Sequence, residues 1–290
     1  MTSTVPFEAH RGRLLGLAYR MMGSRSDAED IVQDAWLRWT QAKATQIKND
    51  EAFLTTIVTR LCLDRLKLER IRRRSYIGPW LPEPIVDADA LSAQTATELA
   101  DNLSYGLLLA LERLSPLERA AFLLHDVFDR PFAELAATLE RSEVAVRQLA
   151  TRARKAVREA RRCHPPAPGK HEELLTAFMI ALRDGDAGRL EAVLREDAVY
   201  ISDGGGRKPA ATKPLKGAHR IVRLLIGAVR GYARTGGSPS AVPKMINGSW
   251  GFLLYRDGVL HGVLTIEVDG ERIAAVYQVS NPEKLLALAH

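Results

Sequence analysis

The sequence predicts a multidomain chain, with two all-α domains followed by an α+β domain. Three observations predict it. Up to about residue 162, apolar residues recur at helical spacing, interrupted by one proline-bearing stretch. A second proline-rich break, His164-Pro165-Pro166-Ala167-Pro168-Gly169, closes that half. Beyond Lys170, strand-like runs and Asp-Gly pairs alternate with helical segments, the pattern of a few helices against a curved antiparallel sheet. The expected division is 1–75, a linker over 76–96, 97–163, a linker over 164–169, and 170–290.

The elements follow in order. Phe7 to Met22 carries Leu14, Leu17, Ala18 and Met21 on one face, and Gly23 ends it. Ser26 followed by Glu29 predicts a capping box for a helix from Asp27 to about Gln41. A third helix is expected from Asp50 to Arg74, with Phe53, Leu54, Ile57, Leu61 and Leu68 inward. Pro79, Pro82 and Pro84 make Tyr76–Asp89 extended. Residues 92–162 are helical again, with Ser115-Pro116 as a helix start. Helices over 171–184 and 186–195 precede a strand at DAVYISD, three glycines, a strand near 212–216 and a helix over 217–234. The runs AVPKMING with SWGFLLYRDG, GVLHGVLTIEVDG and RIAAVYQVS complete the sheet, with turns at Asp257-Gly258 and Asp269-Gly270.

Composition narrows the function. At 290 residues and 46% hydrophobic, the chain is an ordinary globular one. No apolar run reaches the ~20 residues of a membrane span, and the first residues lack the apolar core of a signal peptide. Two distant cysteines, Cys62 and Cys163, favour a reducing cytoplasm. Seven scattered histidines predict no metal site, and no cofactor motif is present. The net charge is +6, yet 60–74 and 142–162 each carry +5, leaving −4 for everything else. Two concentrated basic helices point to two contacts with a polyanion.

The stretch 131–162 is the most specific. Leu135, Leu139, Val146 and Leu149 are spaced for two packed helices, and Ala136 is small where they approach. Ser142 is placed to cap the second helix. That helix carries Arg147, Arg152, Arg154, Lys155, Arg158, Arg161 and Arg162 against Glu143 and Glu159. Such a helix-turn-helix sets its second helix on base edges and phosphates in a major groove.

The order of the first 162 residues resembles the extracytoplasmic-function (ECF) sigma factors of bacterial RNA polymerase. Asp27-Ala28-Glu29-Asp30-Ile31-Val32-Gln33-Asp34-Ala35-Trp36-Leu37 resembles region 2.2, which docks on the coiled-coil clamp of the polymerase's largest subunit. The resemblance assigns polymerase binding to Asp27, Glu29, Asp30, Gln33, Asp34 and Trp36. An acidic face with apolar neighbours does suit a basic protein helix better than DNA. Phe53-Leu54 to Arg74 resembles regions 2.3 and 2.4, which open and read the −10 element. Asp64 is retained, while Phe53 and Arg60 replace the usual Trp and Asn. The implied −10 residues are Arg60, Asp64, Arg65, Lys67, Arg70, Arg72, Arg73 and Arg74, whose cations can hold phosphates beside a captured melted base.

Leu114-Ser115-Pro116-Leu117-Glu118-Arg119, Glu134-Leu135-Ala136 and Arg152-Ala153-Arg154 resemble region 4, which reads the −35 element. The implied contacts are Ser142, Glu143, Arg147, Gln148, Arg152, Arg154 and Lys155. Glu140 and Arg141 stand where the usual turn glycine is absent, so a non-glycine residue near positive φ is expected at some cost. Trp80-Leu81-Pro82-Glu83-Pro84, Asp203-Gly204-Gly205-Gly206-Arg207 and Asn281-Pro282-Glu283-Lys284-Leu285 resemble the ECF group with a fused SnoaL-like domain. That resemblance implies an NTF2-like cone which regulates the sigma domains in cis by packing on the linker. A Trp between prolines cannot bury its ring within its own segment. Three glycines permit close backbone approach, and Asp203 and Arg207 can pair across them. Asn281-Pro282 also reads as a plain helix start.

The resemblance therefore implies a cytoplasmic, monomeric promoter-specificity subunit without catalysis. Its partners are RNA polymerase core, promoter DNA and a small molecule in the cone, with no membrane. Two other readings are open. The cone is catalytic through Asp203, His219, His261 or Asp269. Or the chain is a dimeric helix-turn-helix repressor with a sensor domain, which leaves the acidic Trp36 helix and the 60–74 helix without a role.

Overall fold

The computed structural model describes residues 5–42, 47, 49–72, 75–86, 103–160 and 166–288. They form two units: Met1–Ser75 with Ala88–Arg161, and Tyr76–Asp87 with Arg162–His290. The first part of the expected linker thus belongs with the C-terminal fold. The expected helix start at 92, Arg73, Arg74, Arg161, Arg162 and the beginning of the 164–169 break lie outside the described residues, as do the side chains of Arg70 and Arg72.

The first unit begins with α1 (Val5–Met22), α2 (Arg25–Gln41) and α3 (Asp50–Arg72). Gly23, at φ 69°, turns the chain after α1. The cap of α2 is Ser24, not Ser26: the Asp27 N–H donates to Ser24 Oγ at 3.2 Å. Ser24 has the extended backbone an N-cap needs, whereas Ser26 already lies inside the first turn. Leu14, Leu17, Ala18 and Met21 are buried as expected, against Ile31, Val32, Ala35 and Trp39 of α2. On α3 the inward stripe is Leu54, Val58 and Cys62, stepping by four. Leu68, expected inward, is 62% exposed because it stands six residues on and off that stripe.

Among the described residues four further α-helices follow, α4 (Tyr105–Glu112), α5 (Pro116–Phe122), α6 (Phe132–Leu139) and α7 (Glu143–Ala160), with a π-helical turn at Leu123–Val127 after α5. α5 starts on a full capping box, Ser115 with Glu118, and Pro116 occupies the first turn, where no amide hydrogen is missed. The buried Arg119 donates to the Met21 carbonyl at 2.5 Å and to Glu112 at 2.8 Å, tying α5 to the end of α1. No helix among the described residues is long and apolar enough to cross a membrane.

The second unit packs α8 (Lys170–Asp184), α9 (Ala187–Val193) and α10 (Ala218–Arg234) against a six-stranded sheet. Its strands are β1 (Leu194–Asp203), β2 (Leu215–Lys216), β3 (Pro239–Ile246), β4 (Ser249–Arg256), β5 (Val259–Asp269) and β6 (Arg272–Val279), in the order β2-β1-β6-β5-β4-β3. The sheet is mixed rather than wholly antiparallel, because β1 pairs with β6 in parallel. A parallel pair needs a long crossover, and everything from β2 to β5 supplies it. Phe178, Leu190, Ile221 and Val276 form the centre of the core, each fully buried. Tyr200 is buried there too, its hydroxyl 2.8 Å from Gln278 Oε1. A short helix, α11 (Pro282–Leu285), follows β6.

Two outcomes are expected. Leu54→Ala costs about 2–5 kcal/mol in urea unfolding followed by circular dichroism, while Leu68→Ala stays within about 0.5 kcal/mol. Burial raises the Tyr200 pKa to about 12. Its stabilisation is therefore complete below the ordinary tyrosine range and is lost as pH climbs from about 10 towards 12, by about 3 kcal/mol. The melting temperature should fall over that interval, and less steeply in Tyr200→Phe.

Candidate functional site

α6 and α7 form the helix-turn-helix. Leu135, Leu139, Val146, Ala150, Ala153 and Val157 are buried, and Leu149 is half-buried. Glu140 takes the left-handed turn conformation at φ 54° and ψ 51°, so the turn is kept without glycine. The Arg141 N–H donates to the Ala136 carbonyl at 3.0 Å and closes the helix end. Ser142 Oγ accepts the Ala145 N–H at 3.2 Å, as a cap should. Arg147 is held by Glu143 at 2.5 Å and lies 4.4 Å over the Phe132 ring. Arg154 is paired with Asp126 at 2.6 Å. Gln148, Arg152 and Lys155 project into solvent, and the two cations have no ion-pair partner among the described residues.

The other basic helix is more engaged. Arg60 reaches Glu140 at 2.9 Å and the Thr138 carbonyl at 3.3 Å, so it closes on the helix-turn-helix turn. Arg65 donates to Asp27 at 2.7 Å and lies 3.8 Å from Asp30. Arg65 thereby brings the implied polymerase and −10 sets together. Asp64 and Lys67 pair at 2.9 Å on the surface. On α2, Glu29 pairs with Arg25 at 2.9 Å, Gln33 and Asp34 are exposed, and Trp36 is half-buried beside exposed Leu37.

The proline segment is a built part of the C-terminal unit. Leu81, Pro82, Glu83, Pro84 and Ile85 are all buried. Asp203, with no exposure, organises them. Its Oδ1 accepts the Tyr76 hydroxyl at 2.5 Å and the Gly205 N–H at 3.0 Å. Its Oδ2 accepts the Leu81 N–H at 2.9 Å and the Lys284 ammonium at 2.7 Å. Burial, and then the bond to Asp203, push the Tyr76 phenol above the ordinary tyrosine range, so it stays a donor. Lys284 also donates to the Leu81 carbonyl and sits 4.1 Å over the Trp80 ring. Asn281 donates to the Tyr76 hydroxyl at 3.0 Å.

The expected Asp203–Arg207 pair is not formed. Asp203 pairs with Lys284, and Arg207 with Glu283 at 2.6 Å, because strand β1 buries Asp203 while Arg207 stays outside. The glycines act as expected at one point: a Cβ on Gly205, at φ 62°, would lie 2.5 Å from the Asn281 side chain. Sequence reasoning missed Tyr76 and Asn247. Asn247 turns the β3–β4 hairpin with Gly248, donates its N–H to the Ile85 carbonyl at 2.8 Å and accepts the Ile85 N–H on Oδ1 at 3.0 Å. The Asn-Gly pair was the available signal.

The four candidate catalytic residues do not converge. Asp203 serves the proline segment, Asp269 is bound by Arg195, and His219 lies on the surface near Glu191. Only His261 lines the cavity of about 480 Å³ between α8, α10 and the sheet. Among the described residues no cluster of metal-ligating side chains exists.

The comparisons agree on the family. The model described as Sigma-70 region 2 matches residues 6–72, and that described as Sigma-70, region 4 matches residues 106–157. ECF RNA polymerase sigma factor SigJ of Mycobacterium tuberculosis is 38% identical over 289 residues, covering 96% of this chain and 91% of that protein. Probable ECF RNA polymerase sigma factor SigI of the same species is 31% identical over 285 residues, covering 96% and 93%. The crystal structure of Mycobacterium tuberculosis SigJ superposes with a TM-score of 0.78 at 34% identity, covering 98% of each chain. This chain belongs to the extracytoplasmic-function RNA polymerase sigma factors.

Proposed function

We propose that this sigma factor works in the cytoplasm without catalysis of its own, binding RNA polymerase core through α2, the −10 element through α3 and the −35 element through α7. The exposed flank of Gln148, Arg152 and Lys155 supports the −35 assignment. The exposed Gln33, Asp34 and Leu37 support the polymerase assignment. Arg60 is held on the surface by Glu140 and the Thr138 carbonyl, so a −10 phosphate competes with those partners for it.

The C-terminal unit regulates in cis by holding the segment 76–86. The carrying observation is Asp203, a buried carboxylate with four donors, two of them from that segment. Removing one partner of such a pair leaves the other charge buried, which is costly. The cavity holds a small molecule without turnover; of the four candidate catalytic residues it gathers His261 alone.

Core polymerase plus this protein should transcribe a promoter in vitro. Arg152→Ala should weaken promoter binding and lower the salt slope by about one, whereas Asp34→Arg should weaken core binding with folding intact. Absence of initiation with core under every condition and truncation would overturn the reading. Asp203→Asn should speed amide exchange at Leu81 about tenfold or more, since its acceptor is weakened. Truncation after Ser280 removes Asn281 and Lys284 and should raise promoter-reporter activity. Deletion of 169–290 should lower it, because Leu81 and Ile85 then lose their cover. Equal activity across the series would exclude regulation through the segment.

A further inference from the structure

The cavity of the C-terminal unit carries information about what it takes. Its floor is the apolar row of Phe252 and Leu254 on β4 and Leu264 on β5, and Met179 of α8 and Leu225 of α10 face that row. Its volume, about 480 Å³, is that of a site which encloses most of a small organic ligand. The charged side chains that line it are all of one sign. Arg183 and Arg256 stand at its wall, and no carboxylate does.

Arg256 is positioned rather than free-swinging. Its guanidinium lies 4.1 Å over the Tyr232 ring, and among the described residues it has no carboxylate within ion-pair distance. The neighbouring Asp257 is already engaged by the Tyr232 hydroxyl at 2.9 Å and the Ser238 N–H at 2.9 Å. His261 is aimed by an irregularity of the sheet. Leu254 pairs with Gly262 while Tyr255 pairs with Leu260, so His261 is the extra residue of a bulge and its side chain lines the cavity. Burial, then the charges of Arg256 and Lys208, hold its pKa below the ordinary histidine range. The ring is therefore neutral near pH 7 and able to donate one hydrogen bond. Gln278 is committed to Tyr200 and Ser280 and adds no charge.

We propose that this cavity binds an anionic amphiphile, with an apolar body along Phe252, Leu254 and Leu264 and a carboxylate at Arg256 and His261. A cation would meet like charge there, and a neutral apolar molecule would give Arg256 and His261 no acceptor. The assignment deepens the regulatory reading of the C-terminal unit, on which it rests for its consequence.

Titration calorimetry on the full chain tests it with decanoate, decanol, decylamine and naphthoate, all below their aggregation limits. Decanoate should bind one per chain, about tenfold or more tighter than decanol, with decylamine weaker still. Each added methylene should tighten the alkanoate about fourfold until the cavity is full. Tight naphthoate with weak decanoate would assign a ring rather than a chain and still support the carboxylate site. Arg256→Gln, at an exposed position, should bring decanoate down to the decanol level, and Ala228→Trp at the cavity wall should block both. Decanol or decylamine binding as tightly as decanoate, indifference to both substitutions, or no binding of either carboxylate would overturn the site. Transcription with saturating decanoate separates the two readings. Binding without any change in initiation keeps the site and removes its regulatory role. Failure to bind, with the Asp203→Asn and truncation effects intact, removes the site and keeps regulation through the segment.

Discussion

The C-terminal half of this sigma factor is organised around one buried carboxylate. Asp203 has no solvent exposure, and an ion so placed is tolerated only when every lone pair is used. Two of its four donors, Tyr76 and the Leu81 N–H, come from more than a hundred residues away. A third is Lys284, from just beyond the last strand. The charge cannot be satisfied by its neighbours in sequence alone, so the proline segment lies against the C-terminal sheet. The prolines help: a segment with few amide hydrogens leaves little backbone to satisfy once buried.

Sheet geometry decides where the remaining groups point. The left-handed Asn247-Gly248 turn presents an amide side chain to Ile85, and the isolated bridge between Val86 and Ile246 continues the pairing. The β4–β5 bulge turns His261 to the cavity on the helix-covered face. One irregularity serves the segment 76–86 and the other serves the cavity, so a single mixed sheet supports two separate sites.

In the sigma unit, charge density on a helix overstates how many cations are available. Arg60, Arg65, Arg147 and Arg154 each have a carboxylate within 3 Å. Such surface pairs are individually weak and give way readily to a polyanion. The pairing gives each guanidinium a defined place without making it unreachable. Arg119 differs, since burial and its bond to the Met21 carbonyl make it a structural tie.

Much was legible in order along the chain. The helix-turn-helix periodicity, the Ser142 and Ser115 caps, the core face of α1, the Asp257-Gly258 turn and the two basic segments are local properties. Each is set by spacing along one element, and the family follows from their order. Leu68, the Ser24 cap, the parallel β1–β6 pair and the partners of Asp203 and Arg207 were not legible. Those depend on which of several equivalent groups a distant surface meets, and no local spacing encodes that choice. The sequence by itself determined which elements form and that the chain is a sigma factor. Only the tertiary structure decided that Asp203 is buried and that the segment 76–86 belongs to the C-terminal unit. The reason is that desolvation is a property of the assembled surface, and a carboxylate takes as partners whichever donors are buried with it.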